Sequence, residues 1–159
     1  MPAGGPINVA ENIDRSQFKF STEIRVRLNE TDAVGIVFHG NYFTYMDVGR
    51  VDYLRNLDLM ERGRPIKGFD NMVVHSACDF RNPAHYDDAI IINVRLARLG
   101  RCSFRFEFLF FNKRNNQLLA KGESVHCAVN LEDRSAVPLP DFFREAIQSC
   151  EASDLENAQ

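Results

Sequence analysis

The stretch RLNETDAVGIVFHGNYFTYMDVGRVDYLRNL, from Arg27 to Leu57, decides how the rest of the chain is read. A polar loop carrying Asp32 passes through Gly35, His39 and Gly40 into a proline-free run from Asn41 to Leu57. Tyr42, Phe43, Met46, Tyr53, Leu54 and Leu57 fall within an arc of about 120° if each residue turns a helix by about 100°. Tyr45 and Val48 lie outside that arc, so the helix is expected to be covered on more than one side. Such a helix is about 25 Å long, close to the width of five or six strands spaced about 4.8 Å apart. Its start offers backbone N–H groups and the positive end of the macrodipole, which can hold an oxygen that becomes negative during a reaction. A carboxylate beside that start makes the joint a candidate active site.

Working outward, Phe18, Phe20, Thr22, Ile24, Val26 and Leu28 alternate with charged and polar residues, which predicts a half-buried strand before the loop. Residues Met1 to Ser16 show no periodicity and are expected to be a poorly ordered lead-in. Beyond the helix, Leu59 to Asn71 carries Gly63, Pro65 and Gly68 and reads as a connection. Four more strands are expected: Met72–Phe80, Ala89–Ala97, Ser103–Phe111 with Phe104, Phe106, Phe108 and Phe110 on one face, and Leu118–Asn130. Their sequential order suggests an antiparallel meander. Asp141 is a plausible N-cap for a short helix from Phe142 to about Ser149, and the acidic residues from Glu151 should fray. An α+β domain over residues 17–150, with a curved antiparallel sheet wrapped around one long central helix, buries every apolar face.

Composition limits the possible partners. The chain has 159 residues, a net charge of −3, 45% apolar and 26% charged residues. That suits one globular domain, and the absence of a basic run argues against nucleic acid. Cys78, Cys102, Cys127 and Cys150 form no CxxC pair, and His75, His85 and His126 share no ligand spacing with a thiol or carboxylate. Reduced cytoplasmic thiols and no bound metal are therefore expected. No apolar run approaches the roughly 18 residues of a membrane span.

The segment ETDAVGIVFHGNYFTYMDVGRVDYLR, from Glu30 to Arg55, resembles the signature of the hotdog-fold acyl-CoA thioesterases of the 4-hydroxybenzoyl-CoA thioesterase type, including the YbgC-like branch. That signature reads approximately DTDxxGxVxHxNYxxxxExAR. A weaker similarity extends through NPAHYDD and the Val125–Pro140 segment. The resemblance implies a hotdog fold and hydrolysis of an acyl-CoA without a cofactor. Asp32 matches the family's catalytic aspartate, either attacking the thioester or activating water, and His39 matches its histidine. The backbone at His39 and Gly40 would polarise the carbonyl. Asn41 and Tyr42 match helix-opening positions expected near substrate, although Tyr42, Tyr45 and Tyr53 also read as core. Arg98 and Arg101 align with a basic turn that meets the nucleotide in one branch, and Arg81 is a further candidate for the anionic end of coenzyme A. The chain departs from the signature at Glu30 and Asp47, both of which keep the charge. Asp47 reads first as an ion-pair partner of Arg50 or Arg55.

The resemblance also implies a homodimer or homotetramer with sheets pairing edge to edge and each site completed by a neighbour. An acyl-carrier-protein substrate, hydration of an enoyl thioester and a non-catalytic acyl-thioester-binding module are the alternatives, since a fold alone does not set its chemistry.

Overall fold

Residues 13–64 and 66–156 are described by the structure, a computed structural model. The elements are β1 (Phe20–Arg25), α1 (Asn41–Asn56), β2 (Asp70–Phe80), β3 (Ala89–Leu99), β4 (Ser103–Asn112), β5 (Leu118–Val129) and α2 (Asp141–Glu151). The strands form one antiparallel sheet in the order β1-β3-β4-β5-β2. The expected succession of strand, long helix, four strands and short helix is therefore present, with five strands at the lower end of the expected range.

The meander holds only from β3 to β5. β2 does not pair with β3 but lies beyond β5, with Asp70 opposite Val129 and Phe80 opposite Ala120. The connection 81–88 has to cross β5 and β4 to reach β3, three strand spacings or about 14 Å, and its eight residues can span that. A hairpin would have used a loop of about 2–5 residues.

α1 lies on the ladder of Phe104, Phe106, Phe108 and Phe110, all buried on the inner face of β4. Tyr42 meets Phe110 edge-on at 5.3 Å between centroids and Tyr53 meets Phe106 at 5.5 Å. Gly49 allows the close approach, because a Cβ there would come within 3.0 Å of the methyl carbons of Ile92 and Val94 on β3. The buried set corrects the expected helical arc. Phe43 is 39% exposed, whereas Tyr45 is buried and its hydroxyl donates to Glu30 at 2.9 Å. Leu28, expected to close the first strand, is in a 3-10 turn with its side chain in solvent.

Both ends of the domain differ from expectation within the described residues. Arg15 opens a 3-10 turn, lays its guanidinium 3.8 Å over the Phe111 ring and donates to Asn116. Residues 1–12 of the expected lead-in lie outside the described residues. At the other end, α2 starts one residue earlier than expected, with Pro140 as cap and Asp141 in the first turn. It runs into a second tie: Glu151 is buried and accepts from the Tyr53 hydroxyl (2.5 Å) and the Leu96 N–H (3.0 Å). The Glu156 N–H donates to Ala97 (2.8 Å), so residues 152–156 lie along the part of β3 that β1 leaves unpaired. Buried and main-chain hydrogen bonds hold these residues where solvated acidic side chains would have frayed.

Candidate active site

Glu30 organises the loop before α1. Its carboxylate accepts from the Arg27 backbone, the Arg27 guanidinium and Tyr45, while its carbonyl accepts from the Phe38 N–H (2.9 Å) and the Asn41 side-chain amide (2.8 Å). Burial works against ionisation of Glu30, but these donors outweigh it and hold its carboxyl below the usual range. Glu30, one of the two motif positions that depart from the signature, is thus the peg fastening the loop to the helix. Asn41, expected near substrate, forms one of these ties.

Inside the loop, the Asp32 N–H donates to Ile36 and the Gly35 N–H to Asp32, both at 2.9 Å. Gly35 sits at φ +85°, where a side chain would be strained. One Asp32 carboxylate oxygen accepts the Val34 N–H at 2.9 Å, and the other has no partner among the described residues. Asp32 is half-buried.

The start of α1 is wound tightly. The N–H groups of Asn41, Tyr42 and Phe43 bond to the carbonyls of Phe38, His39 and Gly40 at 2.9 to 3.2 Å. The N–H groups of His39 and Gly40 have no acceptor among the described residues. The available donors are therefore those of residues 39 and 40, one step before the regular helix. The His39 ring is exposed, stands 4.4 Å from Phe38 and 6.1 Å from Phe80, and makes no hydrogen bond among the described residues. A Cβ on Gly40 would collide with the Phe38 ring at 2.7 Å, so glycine allows this turn to fold under Phe38.

The structure separates the other candidates. Tyr42 is buried between Tyr45, Phe80 and Phe110, and burial pushes its hydroxyl well above the usual range, so in this chain it packs in the core. Arg81 follows Phe80 at the same end of the sheet as His39. Arg98 lies at the far end of β3 and Arg101 in the β3–β4 turn, whereas the Asp32 loop is tied near Ala84 and His85, before the start of β3. The eleven residues of β3 put about 33 Å between these ends, so the two arginines do not join Asp32 within one chain. Asp47 pairs with Arg50 at 3.2 Å, and Arg55 pairs with Asp52.

A hollow of about 680 Å³ lies against β2, β4 and β5, away from the Asp32 loop. Asp14, Asp79, Glu107 and Glu123 outnumber Lys121 in its lining, the wrong sign for a phosphorylated ligand. No three His, Cys, Asp or Glu side chains converge as a metal site among the described residues. Burial raises the Cys78 thiol to about 11, so it stays protonated.

Residues 26–147 match the Thioesterase-like superfamily. The chain belongs to that superfamily. A protein of Aquifex aeolicus is 32% identical over 124 residues, covering 78% of this chain and 94% of its own. The acyl-CoA thioesterase YbgC of Haemophilus influenzae is 27% identical over 128 residues, covering 80% of this chain and 93% of its own. Among solved structures, the 1,4-dihydroxy-2-naphthoyl-CoA thioesterase of Synechocystis superposes with a TM-score of 0.74 at 26% identity, covering 80% of this chain and 94% of that one. The sheet wrapped around α1 is the hotdog fold of these thioesterases.

Sequence reasoning missed the hub role of Glu30 and a polar cluster in which buried His126 and Ser124 meet half-buried Asn71 within reach of the Arg50 charge. His126 accepts or donates at 3.0 Å to Ser124 and at 3.1 Å to Asn71, stacks on Phe104, and is pulled down to about 3 by burial and then by the Arg50 charge. Only the placement of His126 on a strand that alternates in burial could have hinted at it.

Proposed function

We propose that this superfamily member hydrolyses acyl-CoA thioesters at the joint of the Asp32 loop and α1. One observation carries the reading: an unpartnered Asp32 oxygen sits in a loop pegged through Glu30 to the same helix start that offers two unused N–H groups, at His39 and Gly40. An acyl carbonyl received there would rest its oxygen on those donors, and each such donor is worth about 10² to 10³ in rate. The Asp32 oxygen then attacks the carbonyl carbon, the C–S bond breaks, coenzyme A leaves as thiolate, and water hydrolyses the mixed anhydride. In the other form Asp32 takes a proton from water, and that water attacks. His39, unpaired over Phe80, can hydrogen-bond the attacking water or the substrate. Names of related proteins support coenzyme A as the carrier: acyl-CoA thioesterase for YbgC and gentisyl-coenzyme A thioesterase for a solved structure at TM-score 0.70 and 26% identity.

The charged end of coenzyme A would meet Arg81 at the near end of the sheet, or Arg98 and Arg101 supplied by a second chain. A second copy also suits β2, an edge strand with Met72, Val73, Val74 and Phe80 exposed by 43, 56, 61 and 45%. Edges of this kind pair unless they are guarded. Sedimentation equilibrium should show at least a dimer, and Val73→Lys with Val74→Lys should shift it to monomer.

The deciding assay measures thiol release from a panel of acyl-CoA and acyl-carrier-protein thioesters. Release from acyl-CoA supports the proposal. Release from acyl carrier protein alone moves the activity to that carrier, loss of enoyl absorbance without thiol means hydration, and binding without turnover means a sensor.

A further inference from the structure

Phe43, Met46 and Arg50 follow one another along α1 at spacings of three and four residues, which puts them on one flank of the helix, and His39, four residues before Phe43 in the turn that opens the helix, continues the line. That flank faces β5 and β2: His39 approaches Phe80, Met46 fills the space where a Gly122 Cβ would stand (2.7 Å to its sulfur), and the Arg50 charge acts on His126. The helix does not reach across β2, whose residues paired with the inner face of β5 stay open: Ser76 and Phe80 are exposed and Cys78 is half-buried. A seam therefore starts at the free amides of His39 and Gly40, runs along apolar side chains, and ends in a polar group.

That polar end holds more donors than acceptors. His126 is held neutral, so its Nδ1–H donates to the Asn71 Oδ1 while the Ser124 hydroxyl donates to Nε2. The second Asn71 group, Nδ2, is then left buried without an acceptor among the described residues, and so is Nη1 of Arg50, whose Nε and Nη2 are already on Asp47. On its other side, away from Met46, Arg50 borders a separate open cleft of about 360 Å³ lined by residues of α1 alone. Buried donors without acceptors are uncommon, and a guanidinium nitrogen left over after one carboxylate calls for a second.

We propose that this seam takes the acyl group of the substrate and that Arg50 and Asn71 bind a carboxylate at its far end, so that the preferred substrates are CoA monothioesters of dicarboxylic acids. The inference rests on the hydrolase reading for the thioester, but adds the acyl class. Arg50 is ten residues beyond Gly40, about 15 Å along the axis, and its side chain leans back towards the helix start. The remaining span of about 10 Å corresponds to an extended chain of about eight carbons.

The test compares octanoyl-CoA with the CoA monothioester of octanedioic acid in wild type, Arg50→Met and Arg50→Lys. In wild type, kcat/KM for the carboxylated substrate should exceed that for octanoyl-CoA by about ten- to a hundred-fold. The ratio should fall to about one in Arg50→Met and recover in part in Arg50→Lys. Equal kcat/KM in wild type, or a preference that survives Arg50→Met, overturns the inference and leaves the hydrolase reading standing. If no acyl-CoA releases thiol, the hydrolase reading falls and calorimetry decides the subsite, using S-octyl-CoA and its ω-carboxylated counterpart. A dissociation constant at least tenfold lower for the carboxylated analogue, lost in Arg50→Met, supports it, and equal affinities overturn it. Should Arg50→Met fail to fold, Asn71→Ala read by the same ratios takes its place.

Discussion

Asp32→Asn should lower kcat for acyl-CoA hydrolysis by at least about 10²-fold while leaving the thermal midpoint within a few degrees of wild type. The substitution keeps an oxygen that can accept the Val34 N–H, so the turn closed by Gly35 survives, as do the ties at Glu30 that do not involve residue 32. What disappears is the anionic oxygen that, in the proposed reaction, attacks carbon or takes a proton from water. Binding of a non-hydrolysable S-alkyl CoA should persist, because the His39 and Gly40 amides are untouched. Turnover within threefold of wild type would remove Asp32 from the chemistry.

Acid should destabilise the fold through His126 before it reaches the carboxylates. Folded His126 titrates near 3 against 6.5 for the ordinary side chain, lowered by burial and then by Arg50. Between those values the unfolded chain binds a proton that the folded chain refuses, so protons favour unfolding. The contribution is complete above pH 6.5 and shrinks as the pH falls towards 3, by about 2.5 kcal/mol between pH 7 and 4.5. Glu30 adds a loss of the same sign only lower down: its folded carboxyl lies below the usual 4.5, so its stabilisation is present above that pH and disappears as the pH drops through the folded value. Urea unfolding at pH 7 and 4.5 should therefore show a steep loss in wild type and a nearly flat response in His126→Gln, from a lower starting stability. A wild-type loss below about 1 kcal/mol would mean that His126 is protonated in the folded chain.

Local patterns carried far into this fold. The alternation of Phe104 to Phe110 marked the floor under the helix, and the Asp32 to Asn41 spacing marked the loop and helix start. What escaped was set by partners distant along the chain. Nothing local tells β2 to bypass β3 and pair with β5, apart from a connection too long for a hairpin. Phe43 is apolar and on the expected arc, yet it flanks a seam that the sheet leaves open, while Tyr45 is drawn inward by a hydrogen bond to Glu30. The candidate site divided in the same way. The loop and helix-start residues are adjacent in sequence and were legible together. The separation of Arg98 and Arg101 from Asp32 became visible only once the direction of β3 was known. The Arg50–His126–Asn71 group joins a helix and two strands, and Glu151 meets Tyr53 from nearly a hundred residues away.

The crossing of β2 to the far edge also bears on how the chain acquires its shape. β3, β4 and β5 are joined by turns of three and five residues and can zip up from neighbouring sequence. The two margins of the sheet lack that advantage: Phe20 waits for Val94, and Asp70 waits for Val129. Loop-closure entropy therefore makes the central hairpins the early-forming unit and the flanking strands late arrivals. The Asp32 loop, strung between those late arrivals, takes up its folded geometry only when the second half of the polypeptide is already in place.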